Sequence, residues 1–156
     1  MDLIIWRHAH AGDPLDDPEA DLLRPLSAKG ERQAARVAAW LNKHLTDSTR
    51  VLASPAVRAQ QTVQALGRAF KTVDTLSPSH GVDDLLAAAR FPRSREAVLV
   101  VGHNPTLGLA LARLLEVADA TQPVVIKKGA VWWLRTRDRE GGEQVTLHAV
   151  IGPDNA

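Results

Sequence analysis

The stretch Leu3-Ile4-Ile5-Trp6-Arg7-His8-Ala9 decides how the rest of the chain is read. Four apolar residues in a row, two of them β-branched, read as a short strand buried on both faces. The run stops abruptly at Arg7-His8. A cation and an imidazole at the carboxyl end of a buried strand sit where open α/β sheets place their ligands. Taken alone, the pair reads equally as a surface charge beside an ordinary structural histidine.

Two further runs end in the same way. Arg50-Val51-Leu52-Ala53 reads as a strand that ends in Ser54-Pro55, with Arg58 in the first turn of a following helix. Ala97-Val98-Leu99-Val100-Val101 is apolar throughout, reads as a central strand, and runs into Gly102-His103-Asn104-Pro105. Between these strands the apolar residues recur at helical spacing. Ala34, Val37, Ala38, Leu41 and Leu45 make one stripe behind a Ser27 N-cap. Ala59, Thr62, Val63, Leu66 and Phe70 make a second. Val82 to Ala89 and Thr106 to Glu116 read as two more helices. Gly12 to Pro25, with three prolines, reads as a loop, and Thr72 to Leu76 as a weak strand.

Beyond Pro123 the pattern changes to strands, over Val124 to Ile126, Gly129 to Thr136 and Gln144 to Ile151. The Glu140-Gly141-Gly142-Glu143 turn predicts that the last two form an antiparallel hairpin. The expected architecture is a single three-layer α/β/α domain over residues 1–156. It has a mostly parallel central sheet and an antiparallel C-terminal edge hairpin. In a parallel sheet the three strand ends share one edge. Two arginines and two histidines would then meet in one crevice, which suits a phosphoryl group.

Bulk properties narrow the function classes. The 156 residues carry 19 Lys+Arg against 18 Asp+Glu, a net charge of +1. No global field favours nucleic acid or an acidic membrane, so neither is expected as a partner. There is no cysteine, which excludes disulfides and thiolate chemistry. No apolar run approaches the ~20 residues of a membrane span, and no signal peptide is visible. A cytoplasmic protein is expected. Nothing in the sequence sets an oligomeric state.

The ends of the three strands carry a resemblance. Arg7-His8-Ala9 resembles the Arg-His-Gly/Ala signature of the histidine phosphatase (phosphoglycerate mutase-like) superfamily. Arg24-Pro25-Leu26-Ser27-Ala28-Lys29-Gly30, Ser54-Pro55-Ala56-Val57-Arg58-Ala59-Gln60-Gln61-Thr62 and Val101-Gly102-His103-Asn104-Pro105-Thr106-Leu107 resemble further blocks of its short SixA-type branch, the phosphohistidine phosphatases. Any one block is weak; four in order along the whole chain are specific.

The resemblance implies roles. His8 is the expected nucleophile, forming a phosphohistidine that water then hydrolyses. Its attacking nitrogen must be neutral, so the other ring nitrogen is expected to donate to a backbone carbonyl. Arg7, Arg58 and a cationic His103 are expected to bind the phosphoryl oxygens and stabilise spread charge. Singly, Arg58 also reads as a solvated helix residue and His103 as a turn residue. His10, Ser54 and Asn104 are candidates for the pocket rim. No cofactor and no metal are expected. His44 and His148 read as structural, and His80 lies in a loop.

Many superfamily members protonate the leaving oxygen with a carboxylic acid from the segment after the third strand. Here that segment offers only Asp83 and Asp84. Asp83 is a candidate weak acid, although both also read as stabilising a helix N-terminus. A basic alkoxide needs a proton as it leaves, whereas an imidazole leaving from phosphohistidine can arrive already protonated. The expected substrate is therefore a phosphohistidine-bearing partner protein. The alternatives are a small phosphorylated molecule, or a non-catalytic phosphate-binding module. Trp132-Trp133 with Arg135, Arg137 and Arg139 reads as buried tryptophan beside charges that guard an edge strand.

Overall fold

A computed structural model describes residues 1–156. One six-stranded sheet has the order β3-β2-β4-β1-β5-β6. Strand β1 is Asp2–Arg7, β2 is Arg50–Ala53, β3 is Lys71–Thr72, β4 is Val98–Gly102, β5 is Val131–Arg139 and β6 is Gly142–Ile151. The first four run parallel to their neighbours, while β5 is antiparallel to β1 and β6 antiparallel to β5. The helices are α1 (Pro18–Leu22), α2 (Ala28–His44), α3 (Val57–Gln64), α4 (Val82–Ala88) and α5 (Thr106–Leu114).

Alternation along β1 explains the layers. Leu3 and Ile5 point into a core that holds Leu85, Val98, Val100, Leu107 and Leu111. Ile4 and Trp6 point the other way, among Val37, Leu41, Val63, Leu99 and Val101. A run of four apolar residues is what such a doubly covered strand requires. Helices α4 and α5 cover one face and α2 and α3 the other.

Register brings the strand ends together. Arg7 is paired with Gly102 across β1 and β4, and Ala53 with Val101 across β2 and β4. The His8 amide donates to the Gly102 carbonyl at 3.1 Å, and the Ser54 amide to the Val101 carbonyl at 3.1 Å. His8, His103 and Ser54 therefore leave the sheet side by side. Helix α2 starts close by, where the Ser27 hydroxyl accepts from the Gly30 amide at 3.0 Å. A side chain at Gly30 would collide with the His10 carbonyl, so this glycine permits the helix to lie against the segment after His8.

Four local expectations are corrected. Within the expected loop of Gly12 to Pro25 lies α1, five residues with none buried. An Asp17 cap and Pro18 in the first turn start it, and it has no apolar stripe to reveal it. Val124 to Ile126 is not a strand: the Val124 amide donates to Gly108 and the Ile126 carbonyl serves the Arg7 side chain. Thr72 to Leu76 divides into the end of β3 and a 3₁₀ turn over Asp74–Leu76. Strand β5 is not an edge strand, because β6 covers it. Arg135 instead forks onto Asp2, with its Nε 2.8 Å from one carboxylate oxygen and its Nη2 2.9 Å from the other. Trp133 is buried and donates its indole N–H to Asp2 at 3.0 Å. No helix is long and apolar enough to cross a membrane.

Candidate active site

The shared sheet edge opens into a cavity of about 250 Å³ lined by Arg7, His8, Gly12, Pro14, Asp21, Arg24, Arg58, Pro78, His103, Asn104 and Lys128. Apart from Pro14 and Pro78, no apolar side chain is among them. Four of the linings are Arg or Lys and one is an acid, so the cavity is built for an anion.

His8 is 7% exposed. Its Nδ1–H donates to the Ala9 carbonyl at 2.7 Å, which leaves the lone pair on Nε2. Burial pushes the imidazole down to about 3; the Ala9 carbonyl opposes this, and the charges of Arg58, Arg7 and Arg24 add to it. The ring is neutral at pH 7, with the Nε2 lone pair free. The following residue is fixed too: the Ala9 amide donates to the Thr62 hydroxyl at 3.1 Å, and that hydroxyl donates to the Arg58 carbonyl at 2.7 Å. One hydroxyl thus ties the end of β1 to the helix that carries Arg58.

The arginines are held from behind. Arg7 donates Nη1 to the Ile126 carbonyl at 2.5 Å. Arg58, 4% exposed, donates Nη1 to the Asp21 carbonyl at 2.8 Å and places Nη2 3.2 Å from the Asp21 carboxylate. Arg24 reaches the same carboxylate at 3.0 Å and donates to the carbonyls of Ala11 and Gly12. The Nε atoms of Arg7 and Arg58 are buried and have no partner. Orphaned donors of this kind are costly unless a ligand satisfies them.

Asp21 is the only carboxylate lining the cavity. The Leu15 amide, the Arg24 guanidinium and the Arg58 charge hold it below the usual carboxylate range, against the opposing effect of burial. It is ionised at neutral pH and acts as the counter-ion that positions two arginines.

His103 lies across the cavity, with its ring centroid 5.2 Å from that of His8. Sequence reasoning expects a cation here, and the structure does not support one. Burial first, then the neighbouring His8 and Arg58, push it down to about 2. A neutral imidazole carries a single proton, so its location matters. His103 Nε2 is 2.8 Å from the Ser54 hydroxyl, whose oxygen already accepts from the Ala56 amide at 3.1 Å. All three groups are satisfied when Ser54 donates its O–H to Nε2. The His103 proton is then on Nδ1, a buried atom without a partner.

The structure brings Arg7, His8, Arg58, His103 and Asn104 together around the cavity. It does not bring three other candidates there. Ser54 is fully buried beneath the cavity and contacts His103 rather than forming the rim. His10 turns away toward α2, with Nδ1 2.6 Å from the Ser27 hydroxyl and its amide bonded to Gln33. Asp83 is nine-tenths exposed and paired with Arg113 at 2.6 Å, outside the cavity. Three charged lining residues have no assigned role in the sequence: Asp21, Arg24 and Lys128. Arg24 opens one of the family blocks, and Asp21 lies three residues before it, a spacing that pairs side chains on a helical turn. Lys128 had no signal. His44 stacks on Trp40, and His148 meets Trp133 edge-on. No group of three or more His, Cys, Asp or Glu is placed to hold a metal ion.

The fold and this cavity define a phosphate-handling class, and comparison with known proteins agrees. Residues 3–79 match the model of the histidine phosphatase superfamily (branch 1), and the chain belongs to that superfamily. Among individual proteins it is similar to phosphohistidine phosphatase SixA of Escherichia coli K12, 32% identical over 123 residues that cover 73% of this chain and 74% of the relative. A solved SixA structure complexed with tungstate superposes with a TM-score of 0.73 at 26% identity, covering 99% of both chains. A SixA-type structure from Nakamurella gives 0.72 at 29% identity, over 97% of this chain and 95% of the other. The chain is thus a SixA-like phosphatase of the histidine phosphatase superfamily.

Proposed function

We propose that this protein, acting as one domain, removes the phosphoryl group from phosphohistidine on a partner protein, without a metal, through a phosphorylated His8. The observation that carries the reading is the state of Asp21. The only carboxylate in the cavity is held ionised between two arginines, so it has no proton to give a leaving alkoxide.

In the first step the lone pair on His8 Nε2 attacks phosphorus in line, and the P–N bond to the substrate imidazole breaks. The departing ring already carries its proton on the other nitrogen and leaves neutral. The phosphoryl group passes between two imidazoles of similar basicity, and no acid is required. In the second step water attacks the phosphorus on His8, its protons stay with the released phosphate, and the neutral imidazole is restored. Arg7 and Arg58 present their free Nε–H groups to the equatorial oxygens, and His103 its Nδ1–H. Fixed donors of this kind act where charge spreads in the transition state. Asn104 lies beside them, and Lys128 adds long-range attraction at the mouth. The relatives named as phosphohistidine phosphatases support the reading.

A substrate panel tests it. The kcat/KM on a histidine-phosphorylated protein should exceed that on alkyl phosphates by at least about 10², the value of general-acid assistance these esters lack here. EDTA should leave both rates unchanged. Faster turnover of a sugar phosphate than of any phosphohistidine substrate overturns the reading and makes the protein a small-molecule phosphomonoesterase.

A further inference from the structure

The mouth of the phosphate cavity lies between two lips of opposite charge. One lip is the segment from Gly12 to α1, where Asp13, Asp16, Asp17 and Glu19 are all exposed. The other is the turn through Lys127, Lys128 and Gly129. Lys128 lines the cavity and Lys127 is exposed beside it. Gly129 is pressed against both α2 and the C-terminal segment: a Cβ there would lie 3.0 Å from Pro153 and 3.5 Å from the Gln33 side chain. The basic lip is therefore continuous with the outer face of α2.

That face is basic as well. Lys29, Arg32, Gln33 and Arg36 recur at helical spacing and, with Pro153 and Asp154, line a shallow depression of about 180 Å³. Glu31 falls on another flank of the helix, since residues three and four apart share a face. The ion pairs of the molecule use Asp2, Asp21, Asp83, Asp84 and Glu143. None of them involves Lys29, Arg32, Arg36, Lys127 or Lys128. Arg36 makes one hydrogen bond, to the Pro153 carbonyl at 3.2 Å. In a chain of net charge +1, five cations without a carboxylate partner are gathered on one side of the cavity.

We infer that the α2 face, from Lys29 to Arg36, together with Lys127 and Lys128, is the docking surface for an acidic face of the phosphohistidine-bearing protein. This rests on the function proposed above and names the chemistry of its partner. Complementary charge outside the pocket steers encounter and fixes orientation, and adds little to the chemical step. The acidic lip sets the orientation, because a partner turned the other way would place its acids against Asp13, Asp16, Asp17 and Glu19. The same lip disfavours a nucleic acid, whose charge is negative along its whole length.

The test uses the full chain and two synthetic peptides, each with one phosphohistidine, flanked by glutamates in one and by lysines in the other. A peptide of about 15 residues can extend to roughly 50 Å, enough to leave the cavity and lie along α2. Phosphoramidate serves as the small control. The wild type should favour the glutamate peptide by about tenfold or more at about 50 mM salt and lose that preference near 500 mM, where screening shortens the range of charge. The variant K29E/R32E/R36E should abolish the preference through KM, with kcat and the phosphoramidate rate unchanged. Equal use of both peptides by the wild type overturns the inference while leaving the phosphatase reading intact. So does an equal loss on phosphoramidate in the variant. Single-stranded DNA that inhibits the wild type at the concentration of the glutamate peptide, and not the variant, overturns it in favour of a nucleic-acid site. Turnover of phosphoramidate with neither phosphohistidine peptide used overturns the parent reading.

Discussion

Ser54→Ala isolates the part of the site that its geometry explains best. The Ser54 hydroxyl is 2.8 Å from His103 Nε2 and accepts the Ala56 amide at 3.1 Å. Removing it strands a buried N–H and frees the His103 proton to move to Nε2. Nδ1 would then present a lone pair, not a donor, to the phosphoryl oxygens. A neutral hydrogen bond biases such an equilibrium by about 1 kcal/mol, roughly fivefold. Losing the Nδ1–H donor altogether is worth about 10²–10³ in rate. Ser54→Ala should therefore lower kcat/KM by up to about fivefold, and His103→Ala by about 10²–10³. Because the serine hydroxyl reaches the phosphoryl site through histidine, and its bond to the Ala56 amide serves the backbone, the double variant should be no slower in kcat/KM than His103→Ala alone. Ser54→Thr, which keeps the hydroxyl, should restore most of the rate. Nitrogen NMR of the wild type should show a protonated Nδ1 on His103, and a mixture in Ser54→Ala. Additive losses in the double variant, or a wild-type proton on Nε2, refute the reasoning.

Acid should unfold the protein through its two buried histidines. His8 and His103 are pushed down to about 3 and about 2 when folded, against an ordinary value near 6.5 when unfolded. Below about pH 6.5 the unfolded chain binds more protons, so stability falls as pH drops and is fully present above that value. Between pH 7 and 5.5 the two together should cost about 2–3 kcal/mol, read from urea midpoints, and His103→Asn should remove about half of that dependence. A flat profile over that range refutes neutral burial. Gly30→Ala should destabilise by about 1–3 kcal/mol through its collision with the His10 carbonyl, and lower activity with it by shifting the segment after His8. An unchanged midpoint would show that α2 does not press on that segment.

The parts of the molecule that were legible in the sequence depend on local pattern. Four consecutive apolar residues in β1, the stripe from Ala34 to Leu41 and the Gly141 turn each follow from a fixed periodicity or a backbone requirement. The convergence of Arg7, His8, Arg58 and His103 was legible because parallel strands share one carboxyl edge. The rest depends on distant contacts. Helix α1 buries nothing, so it leaves no apolar stripe, and the role of Asp21 comes from Arg58, 37 residues away. Val124 to Ile126 has strand-like composition, yet its polar groups are used by Gly108 and Arg7. Asp83 was the nearest carboxylate in the expected segment, but Arg113 holds it outside the cavity. The charge of His103 is set by burial first and by His8 and the arginines Arg58 and Arg24 around it, none of them adjacent in sequence.

The most direct test is to find the phosphoryl group on the enzyme. Acid-labile, alkali-stable phosphate should appear after rapid alkaline quenching of turnover with phosphoramidate, and peptide mapping should place it on His8. It should form and decay at rates that account for kcat, and be absent from His8→Ala. Phosphate on any other residue, or steady turnover with His8 never modified, would contradict the assignment of the Arg7-His8 strand end as the phosphoryl acceptor.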